Sequence, residues 1–320
     1  PIIIMMKIFI FSTILLALSL TPCKVQAQGI TLTPKWTAQA QFAGYYVADK
    51  LGFYKEEGID VRVQHPAISE SSFSFMEKGR APVVIMNLSY AFMEWLNCAR
   101  IVNIMQTSQE NSLMLISHSP IKGPESLHNR KIAVWNHLSQ KLLDRLAEHY
   151  GLQQTGWIRF NSGVNIFLSG AADPCLVGSY NEYLELTEYG MNVDSIYSAR
   201  FADYGYNLPE DGLYVTEDFY NQYPEIVHKL AKASIRGWAW ANEHREEALD
   251  MVMEEVKRGN VGTNRYHQRK MLEEVLRLQI DRNSGQRTYR LSREGFERAV
   301  QILAPRDLNK TSIRYEDFVK

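Results

Sequence analysis

The sequence predicts an α/β protein of two lobes, each built on a mostly parallel sheet flanked by helices, with a helical wrap at the C-terminal end. Short apolar runs alternate with helical patterns before residue 200, which is typical of βαβ units. From Thr216 onward the pattern is helical alone. With 45% hydrophobic and 22% charged residues, the 320-residue chain can bury the core that such lobes need.

Each lobe is predicted from its own series of strands and helices. In the first, the strands are 30–35, 59–64 and 83–86, and the helices are 42–51, 72–78 and 90–97. In the second, the strands are 131–135, 157–160 and 175–177, and the helices are 140–150, 164–168 and 181–189. Gly151, Gly170 and Gly190 follow these last helices, where a left-handed residue commonly ends a helix.

The C-terminal third is predicted to fold into helices 217–223, 224–242, 245–258, 266–278 and 292–303. Pro224 suits a helix start and Pro305 a stop. We therefore expect a first lobe at 28–116, a second lobe at 117–211 and a return to the first lobe at 212–320. The crossings, near 115–119 and 209–214, are hinge candidates.

The N-terminal residues have the order of a secretory signal. Lys7 precedes an apolar run at 8–20, and small residues follow near Ala27. We expect a signal peptide at 1–27 and a mature protein in the periplasm. A membrane anchor would need about 20 apolar residues. Lipid attachment at Cys23 is the other alternative, although Pro22 precedes it unfavourably.

Composition narrows the choice of partners. A formal net charge of -1 argues against binding of nucleic acid or an anionic membrane surface. Beyond the signal, Cys98 and Cys175 are far apart and lack zinc-ligand spacing, so no metal site is predicted. An exported protein could pair them, but their apolar surroundings favour two buried free thiols.

Two stretches of the sequence, 36–61 and 79–90, resemble a known family. The chain reads WTAQAQFAGYYVA at 36–48 and GFYKEEGIDV at 52–61. This stretch is similar to the opening of substrate-binding proteins related to thiamine-pyrimidine synthases and sulfonate-binding proteins, the NMT1/THI5-like group. GRAPVVIMNLSY at 79–90 resembles the family's Gly-x-Ala-Asp-x-Gly strand, with Pro82 where Asp is usual.

The resemblance implies a periplasmic binding protein fold of the type II-like kind that captures a small pyrimidine-like molecule between its lobes. It also implies an ABC transporter permease as partner, a monomer, and no cofactor.

Residues of the first lobe that would face the ligand follow from the resemblance. Trp36 ends the first strand, where the family has a side chain that stacks on a planar ring; packing into the core is the alternative. The serine-rich stretch at 69–72 opens onto the cleft in the family, although helix capping would also explain it, as it would for Asn87 and Ser89. The candidates are Trp36, Gln39, Phe42, Tyr45, Ser69, Ser71, Asn87, Ser89 and Tyr90.

The second lobe supplies the other wall. Trp135 and Asn136 follow a strand that resembles the family's Gly-Lys-Lys-Ile-Gly-Val element, and Asn165 lies at a helix start, where capping is the alternative. Relatives that hold aminopyrimidines present a Tyr and a Glu where Tyr180 and Glu182 stand, and a carboxylate can accept two ring N–H groups. Glu182 could instead be an exposed residue favoured by the helix dipole.

The primary hypothesis is a binding protein of an ABC importer that encloses a planar heterocycle, such as a thiamine pyrimidine precursor, between Trp36 and Tyr180. An extracytoplasmic sensor domain is the alternative, because FAGYY at 42–46 resembles sensor regions of membrane-bound signalling proteins. A pyrimidine-processing enzyme is disfavoured. Met86 and Tyr90 stand where the related synthases use Lys and His, and the cysteine-rich run of those enzymes is missing.

Overall fold

The structure is a computed structural model that describes residues 29–67, 69–136, 138, 140–152, 155–161, 163–305, 308–309 and 312–320. The expected signal peptide at 1–27, with Cys23, lies outside these residues, as does His137.

The first lobe contains a five-stranded sheet in the order β2–β1–β3–β10–β4. β1 pairs in parallel with β2 and β3, whereas β10 runs antiparallel to both its neighbours. Its strands are β1 (Ile30–Thr33), β2 (Val61–Val63), β3 (Val83–Asn87), β4 (Ile101–Gln106) and β10 (Asp211–Thr216). Its helices are α1 (Ala43–Lys50), α2 (Phe53–Glu56), α3 (Ser72–Glu77) and α4 (Leu88–Leu96).

The second lobe repeats this plan with the order β7–β6–β8–β5–β9. Here β6 is parallel to β7 and β8, while β5 is antiparallel to β8 and β9. Its strands are β5 (Leu113–Ser117), β6 (Lys131–Trp135), β7 (Gly156–Phe160), β8 (Cys175–Gly178) and β9 (Tyr197–Arg200). Its helices are α5 (Gln140–His149), α6 (Asn165–Leu168) and α7 (Glu182–Glu188). Gly151, Gly170 and Gly190 have positive φ, as predicted.

The two-lobed α/β prediction is confirmed, but the sheets are mixed rather than mostly parallel. The sequence prediction missed β4, β5, β9 and β10. All four lie next to the places where the chain changes lobe, and the returning strand β10 enters its sheet from the opposite end. It must therefore run antiparallel to β3 and β4.

The chain crosses between the sheets at 107–112 and again at 205–210, each time before the strand where the sequence placed the crossing. The first crossing is hydrogen-bonded to the second crossing and to the first residue of β10. The amides of Thr107 and Ser108 both donate to the Asp211 carbonyl, at 2.8 and 3.0 Å. Asn111 Nδ2 donates to the Leu208 carbonyl at 2.9 Å. The crossings therefore form one hydrogen-bonded unit beneath the cleft.

Helices make up most of the C-terminal region. They are α8 (Glu217–Gln222), α9 (Pro224–Glu243), α10 (Arg245–Arg258), α11 (Arg265–Leu278), α12 (Arg293–Leu303) and α13 (Tyr315–Phe318). α9 approaches α1 so closely that a Cβ on Gly237 would lie 2.1 Å from the Gly44 carbonyl oxygen. α11 packs on α7 of the second lobe, and α12 packs on both α4 and α5. The C-terminal helices therefore contact both lobes.

Two further expectations concern the cysteines and the membrane. Cys98 and Cys175 are both free thiols, and Cys175 is buried as expected. Cys98 is exposed, contrary to expectation, because it follows α4 in a turn with φ of 71°. Among the described residues, none of the helices combines the length and the apolar character needed to cross a bilayer.

Candidate ligand-binding cavity

A cavity of about 610 Å³ lies between the two sheets. Its walls begin at Lys35, two residues after β1, and at Asn87, Trp135 and Gly178, the last residues of β3, β6 and β8. Ligands of open α/β sheets collect outside the carboxyl ends of strands, and the volume lies within the usual range of small-molecule sites. The cavity is therefore the candidate site.

Ten of the predicted site residues line this cavity. They are Trp36, Gln39, Ser69, Ser71, Asn87, Ser89, Tyr90, Trp135, Tyr180 and Glu182. One of them, Ser71, also caps a helix: its Oγ accepts a hydrogen bond from the Ser74 amide at the start of α3.

Four predicted residues do not line the cavity. Phe42 and Tyr45 are buried in the core of the first lobe, where the Tyr45 hydroxyl pairs with Thr107 Oγ1 at 2.7 Å. They lie on the inner side of the turn and helix that follow β1, facing the sheet. Asn136 and Asn165 are exposed in the second lobe, outside the cavity wall.

A hydrogen bond to the backbone carbonyl of Trp36 helps to fix the position of this residue at the cavity. His65 Nδ1 lies 2.6 Å from the Trp36 carbonyl oxygen, and because a carbonyl only accepts, this nitrogen carries the proton. Nε2 then accepts from the Tyr46 hydroxyl at 2.9 Å. Burial lowers the pKa of His65, which favours the neutral ring that this pattern requires.

A group of hydrogen-bonded side chains, here called the polar end, joins the lobes inside the cavity. Lys35 Nζ pairs with Asp211 Oδ1 at 2.7 Å and donates to Asn87 Oδ1. Gln41 Nε2 donates to Asp211 Oδ2 at 2.7 Å and to the Tyr180 hydroxyl oxygen at 3.1 Å. The Tyr180 O–H proton and the third Lys35 proton remain as donors for a ligand.

Glu182, the expected specificity residue, uses its carboxylate inside the protein. Oε1 accepts from Trp135 Nε1 and from Asn181 Nδ2, each at 3.0 Å. Oε2 accepts from the Gly178 amide at 3.0 Å. Glu182 therefore fixes the orientation of the Trp135 indole, which also lines the cavity.

Glu210 is another carboxylate of the cavity wall, and it keeps one oxygen open to a ligand. It is 9% exposed and lies on the return crossing, where its Oε1 accepts from the Ser112 amide at 3.1 Å and from Ser112 Oγ at 2.7 Å. Its Oε2 has no hydrogen-bond partner among the described residues. Desolvation raises the pKa of Glu210, Lys35 lowers it, and Asp211 raises it further. The free oxygen adds an acceptor to the polar end.

The sequence prediction missed Lys35, Asp211, Ser112 and Glu210. One signal was available for Lys35, a charged residue directly after an apolar strand. Ser112 and Glu210 lie on the crossings and Asp211 begins β10 directly after the second one, and these segments carry no motif. Within the described residues, the structure contains no group of three or more His, Cys, Asp or Glu side chains suited to a metal ion.

Comparison with known proteins agrees with this geometry. A family model described as NMT1/THI5 like matches residues 39–248. The chain belongs to the NMT1/THI5-like family. This confirms the resemblance in the sequence at 36–61 and 79–90.

Among curated proteins, this NMT1/THI5-like chain is 24% identical over 259 residues to the riboflavin-binding protein RibY of Chloroflexus aurantiacus, covering 78% of the chain and 72% of the relative. It is 23% identical over 269 residues to a formylaminopyrimidine-binding protein of Halalkalibacterium halodurans, covering 78% and 79%.

The solved structures show the same fold. The periplasmic aliphatic sulphonate binding protein SsuA of Escherichia coli aligns with a TM-score of 0.58 at 12% identity, over 77% of this chain and 78% of SsuA. The fold of this family member is thus that of the substrate-binding proteins of ABC-type importers.

Proposed function

We propose that this protein is the substrate-binding component of an ABC importer, acting in the periplasm with a membrane permease. It would enclose a planar nitrogen heterocycle, of the kind found in thiamine pyrimidine precursors and flavins, without converting it. The relatives named for formylaminopyrimidine and riboflavin support this ligand class.

The observation that carries the proposal is the free oxygen of Glu210 beside the donors of the polar end. A ring that carries amino or imide N–H groups and neighbouring acceptors could satisfy Glu210, Lys35 and Tyr180 together. The aromatic side chains around them suit the faces of a flat ring. They are Trp36, Tyr90, Trp135, Tyr180 and Tyr206.

Isothermal titration calorimetry of the purified protein with formylaminopyrimidine, riboflavin and an alkanesulfonate tests the proposal. We expect a heterocycle to bind and the sulfonate not to bind, because a buried acceptor such as Glu210 repels an anion. Binding of the sulfonate alone, or of none of the three, would overturn the proposal.

The variant Glu210→Gln tests the contact itself. The amide oxygen keeps both bonds from Ser112 but places an N–H group where the acceptor was. Affinity for the heterocycle should fall roughly tenfold to a hundredfold, the usual cost of a lost hydrogen bond to a charged group. Glu297→Gln, on an exposed face of α12, is the matched control and should bind normally. Unchanged affinity in Glu210→Gln would exclude this contact.

A further inference from the structure

Six apolar side chains line part of the cavity, here called the apolar arm. It is formed by α4, α5 and residues near β5 and the return crossing. Its residues are Met93, Leu113, Leu138, Leu142, Leu146 and Leu208. Leu142 and Leu146 lie one helical turn apart on α5, so a single helix face provides much of the surface.

The apolar arm and two of the aromatic residues that line the cavity, Trp36 and Tyr180, belong to different apolar clusters. All six residues of the arm pack in the cluster that joins α4, α5 and α12. Trp36 and Tyr180 instead pack against the core of the first lobe. The cavity therefore extends from one cluster to the other, and a ligand that fills it meets two chemically different surfaces.

Polar groups near the apolar arm already have partners inside the protein. A hydrogen bond joins Tyr90 to Glu94, whose pKa is raised by desolvation. The Tyr206 hydroxyl is hydrogen-bonded to Ser89. The arm thus offers contact area rather than hydrogen bonds, in contrast to Glu210 and Lys35.

Space lined by leucine and methionine holds water poorly, because water there lacks hydrogen-bond partners. Filling it with carbon gains free energy roughly in proportion to the apolar area removed from water. A single pyrimidine ring bound at Glu210 would leave the arm unfilled. The cavity therefore suits a ligand with a polar ring at one end and an apolar ring at the other.

We propose that the ligand is a fused heteroaromatic molecule whose nitrogen-bearing ring binds at Glu210 and Lys35 and whose alkyl-substituted carbocyclic ring fills the apolar arm. This inference rests on the proposed function and narrows its ligand class. The residues of the arm then determine specificity for the substituents on the outer ring.

Alloxazine and lumichrome form a matched pair of probes, since they share one ring system and lumichrome adds two methyl groups on the carbocyclic ring. Calorimetric titration of the purified protein should give roughly tenfold tighter binding of lumichrome, from the burial of two methyl groups. The formylaminopyrimidine titration is run beside it.

The variants Leu142→Gln and Leu138→Gln place a polar group in the arm. Each should reduce the preference for lumichrome to about twofold or less, with little change for alloxazine. Leu138 is only half-buried, so this variant keeps its fold even where Leu142→Gln does not. Leu51→Gln makes the same change at an exposed position outside the cavity and should keep the wild-type preference.

The outcomes separate the two proposals. Equal binding of alloxazine and lumichrome, or a preference that survives in Leu138→Gln, would overturn the apolar arm as a ligand subsite while the proposed function stands. Tight binding of formylaminopyrimidine, together with no binding of alloxazine or lumichrome, would also overturn the apolar arm as a ligand subsite. If no heterocycle binds, the proposed function itself fails.

Discussion

Two carboxylates that line the cavity, Glu182 and Glu210, differ in how many of their oxygens accept hydrogen bonds from the protein. Glu182 has both oxygens occupied by Trp135, Asn181 and Gly178, whereas Glu210 has one oxygen free. The sequence favoured Glu182 because a family pattern marks it. It could not indicate Glu210, because the environment of that side chain depends on two crossings that come together only in the fold.

Because one carboxylate oxygen of Glu210 is free, we expect the affinity for the ligand to depend on pH. To accept a ligand N–H this carboxyl group must be ionised, and burial raises its pKa above the ordinary value of 4.5. As the pH falls through the raised pKa, affinity for riboflavin should decline by up to tenfold per pH unit. Titrations between about pH 8 and about pH 5 measure this decline. Glu210→Gln should bind weakly but without this dependence; the same decline in the variant would assign it to another group.

Replacing Trp36 should weaken ligand binding without unfolding the protein. The side chain is half-buried at the cavity and packs only at the edge of the first-lobe core. Trp36→Ala should weaken heterocycle binding by roughly tenfold or more, since one stacking face and its buried area are removed. Trp240→Ala is the matched control, also half-buried on that core but outside the cavity. Wild-type affinity in Trp36→Ala would refute stacking.

At the scale of elements, the sequence predicted helices and parallel strands well because their signals are local. Strand β6 and helix α10 have the predicted bounds. The missed strand β4 contains Asn103 and Gln106, which are buried and hydrogen-bonded to each other, so it lacks an apolar run. β9 has two exposed residues in four. These strands form through pairing with distant segments, which no local pattern reveals.

Helices α11 and α7 meet across the lobes at His267. Its Nδ1 is hydrogen-bonded to Glu188 Oε1 at 2.5 Å and its Nε2 to Asn181 Oδ1 at 2.9 Å. Asn181 in turn donates to Glu182, which holds Trp135. The contact therefore links α11 to the cavity wall of the second lobe.

Removing this contact should loosen the lobes. His267→Ala is expected to lower the free energy of unfolding by about 1–3 kcal/mol, because the two acceptors lose their buried partner. It should also enlarge the radius of gyration of the ligand-free protein, measured by small-angle X-ray scattering. His228→Ala, on an exposed face of α9, is the control. A variant as compact and stable as the wild type would exclude His267 as a link between the lobes.

For the whole molecule, the two lobes share one apolar cluster. Val84 and Met86 of β3 belong to the same cluster as Ile132 of β6 and Leu176 of β8, with Phe296 and Ile302 of α12 between the lobes. The lobes are thus joined by continuous packing as well as by the crossings. The sequence indicated two lobes but not this cluster, because it depends on where α12 returns.

Continuous packing predicts that both lobes unfold together. Differential scanning calorimetry should show one transition whose calorimetric and van't Hoff enthalpies agree. Because the proposed ligand would contact residues of both lobes, a ligand at about 100 times its Kd should add about 2.7 kcal/mol to the free energy of unfolding and move the whole transition upward. Two transitions, of which the ligand moves only one, would show that the lobes are independent and that binding uses a single lobe.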